Sequence, residues 1–230
     1  RSDPRAVAQS FTRIAGVRSS VGDGAAVSID FVDGARLELR CVPPDRFAVA
    51  WFRATGNDAH VDAVLVSHDH YDHLDRASIQ AFNARGVRFI VPLGVGTHLI
   101  GWGVPPDRIT ELDWWQEAKV GDLRIVSTPS RHASGRLSPR SNQTLWSGYA
   151  LVGPAHRAFY SGDTGLNDTF TDVGTKLGPF DVTMIESGQY DPQWPDWHLG
   201  PEQAMRVHEE VRGRVLIPVH WGLIKLAHHP

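Results

Sequence analysis

Residues 61–75 read Val61-Asp62-Ala63-Val64-Leu65-Val66-Ser67-His68-Asp69-His70-Tyr71-Asp72-His73-Leu74-Asp75, an apolar run that passes directly into three imidazoles and three carboxylates. The run has the length and composition of a buried strand. A strand end followed by a tight loop lets His68 and His70 converge on one cation while Asp72 and His73 turn toward a second beside it. Neutral imidazole and carboxylate are ligands that borderline divalent metals such as zinc accept. A polar loop that is merely histidine-rich is the plainer alternative, and the density of histidine in so short a stretch argues against it.

Around this stretch the chain alternates strand, loop and helix. Asp75 is placed to cap a helix over 75–85, and Gly86 ends it. Strands are expected at 88–91, 109–112, 145–152, 158–160, 180–185 and 215–219, with a short helical segment over 97–102. Lys119 to Val126 reads as edge strands joined at Gly121-Asp122. A helix over 201–212 has Pro201 at its first position and Gly213 beyond its end, with Ala204, Val207, His208 and Val211 on its inward stripe. Upstream, Val27, Ile29 and Phe31 alternate with polar residues, Asp33-Gly34 is a favoured hairpin turn, and Leu37, Leu39 and Cys41 alternate on the return. Residues 1–24 show little pattern beyond a short helix near Ala6 to Phe11, and Phe47 to Phe52 fits a strand or a helical turn. Strands outnumber helices, which implies sheets packed face to face under helical covers.

Composition narrows the classes. A chain of 230 residues suits one α/β domain with a substantial core. The net charge of −3 gives no electrostatic footprint for nucleic acid, so none is expected as a partner. One cysteine, Cys41, excludes an intrachain disulfide framework and a cysteine-rich zinc module, which leaves histidine and carboxylate to hold any metal. No apolar run is long enough to span a membrane, and a soluble, cytoplasmic protein is expected. Of the 8 tryptophans, Trp114, Trp115, Trp146, Trp194, Trp197 and Trp221 fall in or near expected loops. Ordinary packing accounts for most of them, and Trp197 is a candidate substrate contact. Gly94-Val95-Gly96 is too short a glycine pattern for a phosphate loop.

Five polar segments each follow an expected strand: 68–73, 129–132, 161–165, 186–188 and 220–222. Five loops at one sheet edge would form one site. The run His68 to His73, the segment Arg131-His132-Ala133-Ser134-Gly135-Arg136, and Asn142 with Leu145-Trp146-Ser147-Gly148 resemble a known family. So do Gly162-Asp163-Thr164-Gly165, His198-x-x-Pro201-Glu202 and the closing His220-Trp221-Gly222. The chain is similar to the metallo-β-lactamase-fold hydrolases, in particular the group containing N-acyl-phosphatidylethanolamine phospholipase D and the ascorbate-6-phosphate lactonase. The likeness covers residues 61–230. It implies an α/β, four-layer αββα metallo-β-lactamase-type sandwich lacking part of the usual ends. A single domain over 1–230 is expected, with residues 1–60 atypical.

The resemblance implies that His68, His70 and His132 bind a first metal, that Asp72, His73 and His220 bind a second, and that Asp163 bridges both. Taken singly, His132 would read as an ordinary polar histidine, Asp163 as a turn residue and His220 as a core histidine; each gains from the others. Two divalent ions are expected, zinc first, with manganese or iron served by the same ligand types. A bridging hydroxide would attack the ester, because metal-bound water can ionise near neutral pH. Asp72 and His198 are the candidate catalytic residues, His198 as proton donor to the leaving group, while Arg131, Arg136 and Trp197 are candidate substrate contacts. His208 is assigned a core or supporting role, Asp69 a loop role and Asp75 the cap. The expected activity is metal-dependent hydrolysis of a phosphodiester or related ester, on a small-molecule or lipid-like substrate. The alternatives are a lactonase, or a truncated or inactive metal-binding scaffold.

Overall fold

The computed structural model describes residues 61–136, 142–221 and 227–228, and the backbone of three strands within residues 17–40. The chain forms two compact units: residues 1–66, 71–90 and 99–109 in one, and residues 67–70, 91–98 and 110–230 in the other.

In the first unit, β1 (Val17–Gly22), β2 (Ala26–Phe31) and β3 (Arg36–Arg40) form an antiparallel meander in that order. The expected hairpin is β2–β3, with Asp30 opposite Arg36. Strand β1 was not expected, since Val17 and Val21 are its only large apolar residues. The turn at Asp33-Gly34, the helix near Ala6 to Phe11 and the run Phe47 to Phe52 lie outside the described residues. Strand β4 (Ala63–Leu65) pairs in parallel with β5 (Arg88–Pro92). A parallel pair needs a crossover, which helix α1 (Arg76–Ala84) supplies. Asp75 caps α1 as expected, its carboxylate accepting from the Ser78 amide and hydroxyl at 2.8 and 2.9 Å. Ile79 and Phe82 supply its buried face, and Gly86 at φ +74° turns the chain into β5.

Helix α2 (Gly96–Gly101) and strand β6 (Ile109–Leu112) follow β5 in the chain, each divided between the units, and from Thr110 onward the chain belongs to the second unit. There the strands β7 (Glu117–Val120), β8 (Leu123–Thr128), β9 (Gly148–Val152), β10 (Arg157–Tyr160), β11 (Phe180–Glu186) and β12 (Gly213–Val219) form one sheet, ordered β12-β11-β10-β9-β8-β7. Of the pair expected at the edge, only β7 is there; β8 lies between β7 and β9, joined to β7 at Gly121 with φ +57°. Strand β9 starts three residues later than expected, because the Leu145 and Ser147 amides bond the Leu93 and Ser67 carbonyls instead of a neighbouring strand.

Helix α3 (Phe170–Leu177) was missed from sequence. Helix α4 (Pro201–Glu210) starts at Pro201 as expected and stops two residues early, at Glu210, with Arg212 beyond it in the left-handed region at φ +63°. Both helices bury their apolar faces in one core, where Phe170, Val173, Leu177, Ala204, Val207 and Val211 meet Val126, Ala150, Phe159, Phe180 and Ile185 of the sheet.

Strand directions decide where chemistry can gather. Strands β10, β11 and β12 are mutually parallel. Strands β8 and β10 each run antiparallel to β9 and hence share a direction. The loops after β8, β10, β11 and β12 therefore leave the same edge of the sheet. Among the described residues, no helix is long and apolar enough to cross a membrane.

Candidate metal centre

Four of the loops at that edge and the segment 67–70 bring buried and half-buried histidines together with buried carboxylates. His68, His70 and His132 form a triangle with ring centroids 4.5, 4.7 and 5.0 Å apart, packed edge to face. Their nitrogens converge: His70 Nδ1 lies 2.9 Å from His68 Nε2 and 3.2 Å from His132 Nε2. Three imidazole nitrogens around one tetrahedral zinc, each at the usual bond length, stand about 3.3 Å from one another. The triangle is thus close to a ligand set for a single cation.

Orientation is fixed from behind. His132 Nδ1 donates to the Trp197 carbonyl at 3.1 Å, which leaves Nε2 as the nitrogen facing His70. His68 Nδ1 pairs with the Ser67 hydroxyl at 3.0 Å, again leaving Nε2 toward the cluster.

Asp163 follows β10 and is 4% exposed. Its Oδ2 lies 3.8 Å from His68 Nε2, 3.8 Å from His132 Nε2 and 3.5 Å from His220 Nε2. One carboxylate oxygen thus faces three imidazoles from three loops. A buried carboxylate needs a compensating charge, and three nitrogens with one carboxylate oxygen make a donor set that zinc accepts. The residues fit the metal that the sequence implies. Gly162 lets Asp163 reach this place: it sits at φ +60°, where a Cβ would come within 2.7 Å of the Ser147 carbonyl oxygen.

His220 closes β12 in the left-handed region at φ +60°. For a non-glycine residue that conformation is sparsely populated and gathers at functional sites. Its ring stacks on His198 with centroids 5.4 Å apart, and His198 lies 5.1 Å from the His132 ring. The structure thus gathers His68, His70, His132, Asp163, His198 and His220 in one unit. Asp72 and His73 lie in the other unit, where His73 Nε2 is 3.3 Å from the Asp72 carboxylate.

The candidate substrate residues differ in their surroundings. Arg131 is exposed and pairs with Asp196 at 2.9 Å, while Arg136 donates to the Asp69 carbonyl oxygen at 2.8 Å. The Trp197 ring is 47% exposed and stands 6.2 Å from His132. His208 lies away from the cluster, its Nδ1 2.7 Å from the Thr183 hydroxyl.

Two carboxylates have larger parts than the sequence suggested. Asp69 is buried; it accepts from the Gly135 amide at 2.7 Å and pairs with His98 Nε2 at 3.2 Å, tying residue 135 to the first histidine segment. Burial pushes its carboxyl up, but the hydrogen bonds from His98 and Gly135 outweigh this and hold it below the usual range. Glu186, at the end of β11, is fully buried. Its Oε1 takes His198 Nδ1 at 3.1 Å together with the Thr164 and Leu199 amides. Burial pushes this carboxyl up more than the hydrogen bond from His198 pulls it down. For Glu186 the sequence offered one hint, a carboxylate ending a buried strand; for Asp69, in a loop among histidines, it offered none.

Fold and site together define a metallo-β-lactamase-fold protein with histidine–carboxylate clusters able to hold metal. Residues 44–221 match the family described as the Beta-lactamase superfamily domain, and the chain belongs to it. An uncharacterized protein of Mycobacterium tuberculosis is 52% identical over 174 residues, which are 74% of this chain and 46% of that protein. The N-acyl-phosphatidylethanolamine-hydrolyzing phospholipase D 1 of Caenorhabditis elegans is 36% identical, across 70% of this chain and 49% of that one. The chain thus spans about half the length of these curated relatives. Among solved structures, the metallo hydrolase Igni18 of Ignicoccus hospitalis shares the fold with a TM-score of 0.64 at 20% identity, covering 90% of this chain and 84% of that one.

Proposed function

We propose that this chain carries the hydrolytic centre of a two-metal phosphodiesterase. The observation that supports this most is the convergence of three imidazole nitrogens and the buried Asp163 carboxylate from separate loops. His68, His70 and His132 would hold one cation with Asp163 beside it; the resemblance of the motifs, rather than the geometry, assigns Asp72, His73 and His220 to a second. The bound cations would supply water ionised near neutral pH and a sink for charge developing on the phosphoryl oxygens. Zinc suits the nitrogen-rich set best.

The chain's own residues do the rest. His68 and His132 are locked in single orientations by Ser67 and the Trp197 carbonyl, so the site is preorganised at low entropic cost. His198, against both His132 and His220, is placed to pass a proton to the departing alcohol. Arg131 could release Asp196 to meet an anionic substrate, and the exposed Trp197 ring offers an apolar wall beside it. The phospholipase D named among the relatives supports a phosphodiester, with a lipid-like ester as the substrate class.

Metal analysis coupled to turnover tests this reading. The expected result is about two bound metals per chain, and hydrolysis of bis(p-nitrophenyl) phosphate faster than of a simple lactone. Fewer than about one metal per chain would sink the dinuclear proposal, and preferential lactone opening would replace the phosphodiester with the lactonase reading.

A further inference from the structure

We propose that Glu186 is the positioning residue for His198, holding its proton on Nδ1 so that Nε2 is the nitrogen offered to the reaction. The inference rests on the hydrolase reading above for what Nε2 does, and on geometry alone for how it is held.

Glu186 Oε1 gathers three contacts: the Thr164 amide at 3.2 Å, the Leu199 amide at 3.1 Å and His198 Nδ1 at 3.1 Å. The two amides can only donate, so Oε1 accepts from both, and with no proton of its own on Oε1 the contact requires His198 to carry its hydrogen on Nδ1. Among the described residues, Oε2 is buried with no hydrogen-bond partner, so the carboxylate spends all its contacts on this one oxygen. Thr164 adjoins Asp163 and Leu199 adjoins His198. Glu186 therefore links the loop of the metal-facing carboxylate to the loop of the imidazole.

In hydrolysis the attacking water loses one proton and the leaving alkoxide gains one. His198 Nε2 can accept the first and return it to the second, while Nδ1–H stays on Glu186. No net charge is left on the protein. Asp196, Trp197 and Pro195 precede His198 in an exposed loop. Without Glu186 the ring could rotate or change tautomer, and its basic nitrogen would face the wrong side.

The test separates this role from a purely structural one. In zinc-loaded protein with ¹⁵N-labelled histidine, the long-range ¹⁵N–¹H spectrum, assigned with His198→Asn, should show His198 protonated at Nδ1. Glu186→Gln should keep that pattern, because the Thr164 and Leu199 amides force the new side chain to present its oxygen to all three donors. Glu186→Ala should lose it. For turnover, Glu186→Ala should lower kcat on glycerophosphoethanolamine, whose leaving group needs a proton, by about 10–100-fold with KM little changed. On bis(p-nitrophenyl) phosphate, whose leaving group does not, the loss should stay within about 3-fold, and Glu186→Gln should recover most of the lost rate. Equal losses on both esters, or loss of bound zinc from either variant, would overturn the positioning role. If the wild-type protein cleaves neither ester, the phosphodiester reading fails by itself. The spectrum then decides the Glu186–His198 contact: Nδ1 protonation that persists in Glu186→Ala refutes it. Should Glu186→Ala not fold, Glu186→Gln with its His198 on the other tautomer would refute it equally.

Discussion

At the scale of single residues, one oxygen of Asp163 faces His68, His132 and His220 together. Removing Asp163 takes away the carboxylate that these three imidazoles share, and with it charge that would balance a cation there. Asp163→Ala should cut turnover by more than about 100-fold, beyond the 10–100-fold typical of losing an outer partner, and should lower bound metal. Full activity in the variant would refute its place in the centre. Asp75 presents a smaller and separate case. Its carboxylate satisfies the Ser78 amide at the start of α1, so Asp75→Ala should cost about 1 kcal/mol of stability, read by urea denaturation. Asp75 was legible because its job is written locally, in an aspartate before a helical run; Asp163 taken singly reads as a turn residue, and only the resemblance of Gly162-Asp163-Thr164-Gly165 singled it out. Glu186 and Asp69 were not legible. Their partners, Thr164, Leu199 and His198 in one case and His98 and Gly135 in the other, lie far off in the chain.

Helices show the same divide at the next scale. Helix α4 announced itself through Pro201 and its apolar stripe, whereas α3 was passed over although Phe170, Val173 and Leu177 have helical spacing. Three threonines and a glycine within or just before it weaken its intrinsic propensity, so packing has to hold it. Gly174 shows how: a Cβ there would lie 2.2 Å from the Glu210 carbonyl oxygen and 2.9 Å from Val211 Cα. Alanine for glycine inside a helix ordinarily gains roughly 0.5–1 kcal/mol. Here overpacking against backbone costs about 1–3 kcal/mol and wins. Gly174→Ala should therefore lower the urea midpoint, and an unchanged or raised midpoint would show that α3 and α4 are not so close. Helix α4 also carries a pH-dependent contact. Burial holds His208 below its ordinary value of 6.5, with Glu209 opposing weakly. Around that pH the unfolded chain binds more protons than the folded one, so stability falls as pH drops through and below 6.5. His208→Gln should lose less stability than wild type between about pH 7.5 and about pH 5.5; parallel losses would mean that His208 titrates alike in both states.

For the molecule as a whole, what matters is that the clustered side chains are carried on elements distant in sequence. His132 follows β8, Asp163 follows β10 and His220 closes β12, and all three strands end at one edge of a six-stranded sheet. A cation held there joins the ends of nonadjacent strands to the segment carrying His68 and His70, none of which would be gathered in the unfolded chain. Binding to the native state alone stabilises it by about 4 kcal/mol when free metal is about 1,000 times its Kd. For a chain of this size that raises Tm by roughly 8–16 °C. Stripping with a chelator should lower Tm by such an amount, and zinc should restore it. Magnesium should not, because it seeks oxygen ligands in octahedral geometry, whereas this cluster offers chiefly imidazole nitrogen. Equal restoration by both ions would mean that general charge neutralisation, not the His68–His70–His132 triangle, holds the cation. An unchanged Tm on stripping would mean that these loops are positioned by the sheet and by the contacts of Asp69 and Glu186 alone.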